Sequence, residues 1–275
     1  MTKHRRMSIK NVVARLFSRG LNIGREFDDH SAFDPARRIP RVIYQTFPRK
    51  ELPVHISSNI ARLRDLNPNW EYRLFDDAGI IDFIRSNYPE PVLSAYLSIN
   101  PKYGAARADL FRYLLIYRFG GVYLDVKSTV TRPLDEIVRD EDRFILSHWE
   151  NRDGEQFAGW GLHREVKKRA GEFQQWHVIS SPHHPFLAAV IGRVLRNIRI
   201  YRPVLHGTGH HGILRLTGPV AYTLAIEPLV ESCLHRLING AREGVEYSFM
   251  DKEGKAHKSL IGFHYETLND AIVQR

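Results

Sequence analysis

The chain has 275 residues, of which 43% are hydrophobic and 26% charged, and its formal net charge is +9. These proportions favour a globular protein with a real core and argue against global disorder. A single cysteine excludes a disulfide scaffold. No apolar run approaches the ~20 residues that span a bilayer, and the basic N-terminus lacks an apolar signal-peptide core, so we expect neither a membrane span nor export.

The positive charge is concentrated at the N-terminus, where residues 1–20 hold six Lys or Arg and no acidic residue. The rest of the chain is nearly balanced in charge, so we expect no nucleic-acid partner. Residues 5–19 place apolar side chains at helical spacing. This pattern suits either a helix lying on an anionic membrane surface or a helix packed on the protein. We therefore divide the chain into a basic segment with a linker (1–38) and one domain (39–275).

Strand and helix patterns alternate along the domain. Short apolar or alternating runs predict strands at 39–47, 67–77, 122–126, 144–149 and 175–180, with a further pair within 245–264. Apolar residues at helical spacing predict helices at 56–66, 78–98 with a break at Pro89 and Pro91, 104–118, 185–198 and 219–237. This order predicts an α/β fold whose sheet carries helices on both faces.

Residues 207–212, GTGHHG, formally match the glycine pattern of dinucleotide-binding loops. Such a loop needs a strand before it and a long helix after it, whereas here Gly218 and Pro219 interrupt the chain within seven residues. We therefore predict that this segment is a mobile, glycine-rich loop beside an acceptor or a donor site.

The residues best suited to chemistry lie between positions 109 and 127. Alternation along the strand at 122–126 predicts that Tyr123, Asp125 and Lys127 share a face at its carboxyl end, where open α/β sheets bind ligands. The preceding helix carries Asp109 and Arg112 three residues apart, hence on one side. Either charged pair by itself, Asp109 with Arg112 or Asp125 with Lys127, is best explained as a solvent-exposed surface pair. The five residues together favour a site for a phosphorylated sugar, because carboxylates accept hydrogen bonds from sugar hydroxyls and cations neutralise a diphosphate.

Residues 106–128, ARADLFRYLLIYRFGGVYLDVKS, resemble the signature of the DXD-motif sugar transferases of glycosyltransferase family 32. IPRVIYQTF (39–47) and NPNWEYRLFDD (67–77) resemble the opening segments of that family, and VISSPHHPFL (178–187) and LTGPVAYTLAI (216–226) its downstream segments. The resemblance implies a GT-A fold, a Rossmann-like mixed sheet flanked by helices on both faces. It also implies a retaining hexosyltransferase that moves a sugar from a UDP- or GDP-sugar donor to a surface glycan or a lipid-linked acceptor.

The resemblance also assigns roles to single residues. Donor binding falls to Phe47, Tyr44, Arg107, Asp109, Arg112, Tyr123 and Asp125, and catalysis to Asp125 and Asp109; we add Lys127 to the catalytic residues from its own chemistry. Phe47 matches an aromatic residue that stacks on the nucleotide base, and Asp109 and Arg112 match residues that hold donor-sugar hydroxyls. Tyr123 matches a residue near the nucleoside. Tyr44 stands where the family commonly has His.

Lys127 departs from the family, which has a second Asp at this position as a ligand of Mn²⁺ or Mg²⁺. An ammonium group cannot bind a metal. Two alternatives follow. Lys127 itself neutralises the leaving diphosphate, so that metal dependence is reduced or absent; or a metal still binds through Asp125, the diphosphate and a distant side chain such as His264.

The expected partners are a nucleotide-sugar donor, a glycan or lipid-linked acceptor and, through residues 5–19, an anionic membrane surface. We expect a cytoplasmic location, with peripheral attachment at the inner membrane face. The alternatives are a toxin-like protein glycosyltransferase and a non-catalytic carbohydrate-binding or nucleic-acid-binding protein. Release of nucleoside diphosphate from a donor separates an enzyme from a binding protein.

Overall fold

The computed structural model describes residue 27 and residues 31–250 and 268–275. Eight strands occur in this part of the chain. They are β1 (Val42–Thr46), β2 (Glu71–Phe75), β3 (Gly121–Leu124), β4 (Thr129–Val130), β5 (Phe144–Ser147), β6 (His177–Ser180), β7 (Arg236–Ile238) and β8 (Val245–Glu246). Six of them form one mixed sheet in the order β2-β1-β3-β6-β5-β7, and β4 pairs with β8.

Ten α-helices connect and cover these strands within the described residues. They are α1 (Val54–Leu66), α2 (Asp77–Asn87), α3 (Glu90–Ser98), α4 (Gly104–Phe119), α5 (Leu134–Ile137), α6 (Pro185–Ile200), α7 (Pro203–His206), α8 (Gly209–Leu216), α9 (Pro219–Ile226) and α10 (Gly240–Glu243). None of them combines the length and apolar character that crossing a bilayer requires.

The directions of the strands place the carboxyl ends of three of them at one edge of the sheet. β1 is parallel to both β2 and β3, so the carboxyl ends of these three strands lie at the same edge. β6 is antiparallel to β3, with His177 opposite Leu124, so the residues that enter β6 come to this edge too. Ligands of open α/β sheets bind outside the carboxyl ends of parallel strands.

Helices cover both faces of the sheet, as predicted. One face packs against α4, α6 and α9 in the largest apolar cluster, and the other packs against α1 and α5. Residues 109–117 of α4 are all buried, because the helix lies between the sheet and α6. Each fully buried Leu, Ile or Phe contributes about 1.5–3 kcal/mol. α4 is therefore held firmly, and so are the polar side chains that it carries.

Two glycines make the tight return from α4 to β3. Gly120 has φ 68°, and a Cβ there would lie 2.7 Å from Pro182 Cδ and 2.8 Å from Pro40 Cδ. Gly121 has φ 103°, and a Cβ there would lie 2.8 Å from the Val42 carbonyl oxygen. Residues with side chains rarely adopt such φ values. Glycine at both positions lets α4 deliver the chain directly to the centre of the sheet.

Several predicted elements differ from the observed ones. The helix predicted at 219–237 ends at Ile226, because Pro228 lacks the N–H needed to continue an α-helix; a 3₁₀ turn and β7 follow. The predicted glycine-rich loop is wrong in part, since α8 begins at Gly209. In the predicted C-terminal strand pair, β8 pairs with β4, and 251–267 lie outside the described residues, as do 5–19. The domain division at residue 38 stays a prediction.

Candidate active site at the carboxyl ends of β1 and β3

Arg112 is the centre of a buried cluster of charges. Its Nη2 lies 3.2 Å from Asp109 Oδ1 and 2.9 Å from Asp125 Oδ1. Its Nη1 donates to the Gln175 carbonyl oxygen at 2.7 Å and to Gln175 Oε1 at 2.8 Å. The guanidinium carbon lies 4.8 Å from the centroid of the Tyr123 ring. One side chain of α4 thereby joins the end of β3 to the residues that lead into β6.

Asp109 supports Arg112 from inside the protein. Its Oδ1 accepts from Arg112 and from Gln175 Nε2 at 3.1 Å, and its Oδ2 accepts from the Thr217 hydroxyl at 2.9 Å. The Tyr113 hydroxyl lies 3.1 Å from Gln175 Oε1 and 2.9 Å from the Thr217 carbonyl oxygen. Asp109 is only 3% exposed and both its oxygens are engaged. The structure therefore places it behind Arg112, whereas the family resemblance implied contact with donor-sugar hydroxyls.

The electrostatics of the cluster follow from its burial. Burial raises the pKa of Asp109, and Arg112 and the Thr217 hydroxyl oppose this rise. Burial alone would lower the pKa of Arg112, but Asp125, Tyr123 and Asp109 together raise it above its usual range. Arg112 therefore stays a cation, and two carboxylates share it. Such a cluster suits the hydroxyls of a sugar or ribose better than a phosphate, because its spare hydrogen-bonding capacity lies in carboxylate oxygens.

Side chains of β1 and β3 orient Asp125 from the other side. The Tyr123 hydroxyl lies 3.4 Å from Asp125 Oδ1 and 3.0 Å from Thr46 Oγ1. Gln45 Nε2 donates to the Asp125 carbonyl oxygen at 3.1 Å, and Gln45 Oε1 accepts from the Tyr72 hydroxyl at 2.9 Å. The Asp125 side chain is 24% exposed, against 4% for Arg112. Asp125 is thus the member of the cluster that can meet a ligand.

Lys127 does not follow the predicted alternation. β3 ends at Leu124, and the Ser128 N–H donates to the Asp125 carbonyl oxygen at 2.7 Å, which closes a turn over 125–128. Because the turn breaks the two-residue period, Lys127 leaves the face shared by Tyr123 and Asp125. Its Nζ donates to the Tyr247 hydroxyl and lies 3.9 Å from the centroid of that ring. The prediction that Lys127 shares one strand face with Asp125 is therefore wrong.

Three other predicted donor-binding residues lie outside the charge cluster. Tyr44 is 2% exposed and packs in the main core, its ring centroid 6.3 Å from that of Phe75. Phe47 follows β1 directly and is 4% exposed, in a small apolar cluster with Val126. Arg107 donates twice to the Ile99 carbonyl oxygen, at 3.0 and 2.7 Å, and so links α4 to the end of α3. Their roles in donor binding stay predictions.

A cleft of about 190 Å³ adjoins the cluster. It is lined by aromatic rings, amides and carboxylates, among them Trp176, Tyr247, Phe157, Asn239, Glu150 and Glu246. Trp176 links the cleft to the charge cluster, because its carbonyl oxygen accepts from the Asp125 N–H at 2.8 Å. Its indole N–H is buried and has no acceptor among the described residues. Tyr247 connects them again through Lys127.

Residues 53–144 match the family model described as the glycosyltransferase sugar-binding region containing the DXD motif. This segment therefore carries the sugar-binding region of the DXD-motif glycosyltransferases. This match confirms the family that the sequence resemblance predicted, and it includes Asp109, Arg112, Tyr123 and Asp125.

Curated relatives of this glycosyltransferase include fungal mannosyltransferases. Inositol phosphoceramide mannosyltransferase 3 of Schizosaccharomyces pombe is 36% identical over 100 residues, which are 36% of this chain and 27% of the relative. The initiation-specific alpha-1,6-mannosyltransferase of Candida albicans is 27% identical over 180 residues, covering 59% of this chain and 44% of the relative. The chain thus spans less than half of the length of these relatives.

Solved structures of toxin domains share the fold. The UDP-bound glycosyltransferase domain of the YGT toxin superposes with a TM-score of 0.52 at 9% identity, covering 80% of this chain and 82% of the other. The PaToxG glycosyltransferase superposes with a TM-score of 0.50 at 15% identity, covering 82% and 81%. These similarities confirm the GT-A-type α/β fold.

The described residues of this glycosyltransferase offer few ligands to a divalent cation. The motif here is Asp125-Val126-Lys127, and an ammonium has no lone pair for a metal. Asp125 Oδ1 already pairs with Arg112. No group of three or more His, Cys, Asp or Glu able to hold a metal occurs in the described part of the chain. Mg²⁺ is usually bound through one or two carboxylates together with substrate phosphates and waters, so the reduced metal dependence stays a prediction. His264 lies outside the described residues, and its role stays a prediction.

Sequence reasoning missed three residues that complete the cluster. Thr217 lies within LTGPVAYTLAI, which resembles a downstream segment of the family. The resemblance therefore pointed to this segment but assigned no role to Thr217. Thr46 directly precedes Phe47 and could have been found by alternation from Tyr44. Gln175 has no local signal, because its partners Arg112 and Asp109 lie more than 60 residues away in the chain.

Proposed function

We propose that this chain is a retaining glycosyltransferase that moves a hexose from a UDP- or GDP-sugar to a surface glycan or a lipid-linked acceptor. The observation that carries the proposal is the Arg112 cluster, in which the carboxylate of Asp125 is partly exposed and lies at the ligand-binding edge of the sheet. The relatives are mannosyltransferases by name, so GDP-mannose is the first donor to test.

In this proposal Asp125 accepts hydrogen bonds from hydroxyls of the donor, and Arg112 and Asp109 are positioning residues. Arg112 fixes the orientation of Asp125 through their ion pair at 2.9 Å, and Asp109 holds Arg112. A preorganised carboxylate needs no rearrangement when the ligand arrives. Asp109 itself does not contact the donor, because its carboxylate oxygens already accept hydrogen bonds from Thr217 and Gln175 in the interior.

Lys127 is the residue we propose for neutralising the leaving diphosphate. The acceptor oxygen forms the new bond to the anomeric carbon, and the diphosphate departs with the electron pair of the broken bond and takes up the acceptor's proton. Negative charge grows on the diphosphate during this step, and a cation held nearby lowers the barrier. The Tyr247 hydroxyl accepts from Lys127 Nζ, and Lys127 lies in the turn over 125–128 that follows β3.

The cleft beside the cluster suits the acceptor. Aromatic rings such as Trp176 and Tyr247 cover the apolar face of a sugar ring, while the amide of Asn239 and the carboxylate of Glu150 bond its hydroxyls. Glu150 Oε1 already accepts from Asn239 Nδ2 at 2.7 Å, so both groups are oriented. Two carboxylates, Glu150 and Glu246, disfavour an anionic occupant. We therefore propose that a neutral pyranose of the acceptor binds here.

The test is thermal stabilisation by GDP-mannose, other GDP-sugars and UDP-sugars, with Mn²⁺ or with EDTA, followed by release of free nucleoside diphosphate. We expect one donor class to raise the melting temperature in EDTA as well as in Mn²⁺. Asp125→Asn should abolish this stabilisation, whereas Asp82→Asn, an exposed carboxylate on α2, should retain it. Equal stabilisation of Asp125→Asn and the wild type would refute the site. Binding without nucleotide release would leave the non-catalytic carbohydrate-binding alternative.

A further inference from the structure

The carboxyl-terminal half of the domain contains a long stretch without acidic residues. Residues 173–226 contain no Asp or Glu and five Arg. Three of these arginines, Arg196, Arg199 and Arg202, follow one another at three-residue spacing at the end of α6 and just beyond it. Arg196 and Arg199 lie on the same side of α6, because residues three apart are neighbours on a helix. Arg202 is exposed just after the helix ends, so the three arginines place positive charge at this end of α6.

Apolar side chains project into water beside these arginines. Ile200 is 48% exposed, Val204 96% and Leu205 77%. Val204 and Leu205 are consecutive residues of α7, a single turn that begins at Pro203. Single exposed apolar residues are common, but three together next to a basic stripe mark an interaction surface. We call Arg196, Arg199, Ile200, Arg202, Val204 and Leu205 the α6–α7 face.

Hydrogen bonds fix the α6–α7 face in this exposed arrangement. The Tyr201 hydroxyl accepts from the Ile272 N–H at 3.1 Å and donates to the Gly207 carbonyl oxygen at 2.8 Å. Arg275 Nη2 donates to the Arg199 carbonyl oxygen at 3.2 Å and to the Tyr201 carbonyl oxygen at 3.1 Å. The core holds Tyr201 itself at 3% exposure. The turn therefore presents Val204 and Leu205 outward from a rigid support.

We propose that the α6–α7 face binds the surface of an anionic lipid bilayer. Arginines pair with lipid phosphates at the headgroup level, while Val204, Leu205 and Ile200 enter the boundary of the acyl chains. An anionic bilayer is favoured over a protein partner because the face combines three arginines with three exposed apolar side chains, and residues 173–226, which include it, contribute no carboxylate. The proposal does not depend on the enzymatic activity.

The position of the face in the chain relates it to the candidate active site. α8 follows α7 directly and ends at Leu216, and the next residue, Thr217, donates to Asp109 Oδ2. Helix α8 thus connects the α6–α7 face to the charge cluster. This connection suits an enzyme whose acceptor is attached to a lipid.

The experiment is co-sedimentation of the full chain with vesicles of phosphatidylcholine alone or with one third phosphatidylglycerol. We compare the wild type with Val204→Ser/Leu205→Ser and with Arg196→Gln/Arg202→Gln. Each basic residue near an anionic surface contributes about 1 kcal/mol, so the arginine variant should partition about 30-fold less strongly into the anionic vesicles. The apolar variant should partition at least about tenfold less strongly into the anionic vesicles, because it lacks the two apolar side chains that enter the membrane.

Matched controls lie on the opposite face of the sheet. Val54, 75% exposed at the start of α1, is changed to Ser, and the exposed Arg64 and Arg139 are changed to Gln. These controls keep the basic residues 1–20, and so do the test variants, so the N-terminal contribution is common to all. We expect control binding within twofold of wild type. Equal binding of test and control variants overturns the proposal. So does loss in the arginine variant alone, which indicates polyanion binding without insertion.

Discussion

Removing Arg112 is the most direct test of how the candidate site is built. In Arg112→Met the chain loses contacts at 2.9 Å to Asp125, at 3.2 Å to Asp109 and two hydrogen bonds to Gln175. Asp109, whose side chain is 4% exposed, is then a carboxylate without its cation. Breaking a buried ion pair from one side costs about 3–5 kcal/mol of the free energy of unfolding.

The chain offers a matched control for this measurement. Asp82 and Arg85 are also an Asp–Arg pair at three-residue spacing on a helix, with 2.7 Å between Asp82 Oδ1 and Arg85 Nη1, but both side chains are more than half exposed. Arg85→Met should cost no more than about 0.5 kcal/mol. The difference between the two variants isolates the effect of burial, because residue types and spacing are the same.

Urea denaturation at pH 7, followed by tryptophan fluorescence, measures both variants. The double variant Arg112→Met/Asp109→Asn should recover about 2 kcal/mol relative to Arg112→Met, because the amide removes the buried charge and keeps a partner for Thr217. The reasoning fails if Arg112→Met is within about 1 kcal/mol of Arg85→Met. It fails equally if Asp109→Asn adds further destabilisation to Arg112→Met, since Asp109 would then not be the stranded charge.

Three further predictions concern other parts of the structure. Burial, with Arg112 nearby, lowers the pKa of His177 to about 3; the folded state therefore excludes a proton that the unfolded chain binds below pH 6.5. This lowers stability by about 3 kcal/mol between pH 7 and pH 4, a loss that His177→Gln should remove in urea titrations compared with wild type. Gly120→Ala should destabilise by about 2 kcal/mol or more in the same assay, because its Cβ meets two proline rings, whereas Gly104→Ala, with nothing within 4 Å, should not destabilise. Lys127→Asp restores two carboxylates at this spacing, so donor turnover should become dependent on Mn²⁺ and be abolished by EDTA; turnover unaffected by EDTA in this variant would argue against Lys127 as a substitute for a metal.

The sequence predicted the elements that depend on local periodicity. The helix at 104–118 and the short strand after two glycines are where the pattern put them, within one or two residues. Asp109 and Arg112 are paired as their spacing predicted, because positions i and i+3 are neighbours on any α-helix. The order of strands and helices also predicted that the cluster lies at the carboxyl edge of the sheet.

The sequence alone predicted an α/β sheet, a resemblance to the DXD-motif glycosyltransferases, and the convergence of Asp109, Arg112 and Asp125. Only the tertiary structure decided which of them meets solvent, because Gln175 and Thr217 come from segments 66 and 108 residues beyond Asp109. It also decided the direction of Lys127, since a turn closed by one backbone hydrogen bond ends the alternation of the strand. Local spacing specifies which side chains are neighbours on one element, whereas burial and direction depend on contacts between elements.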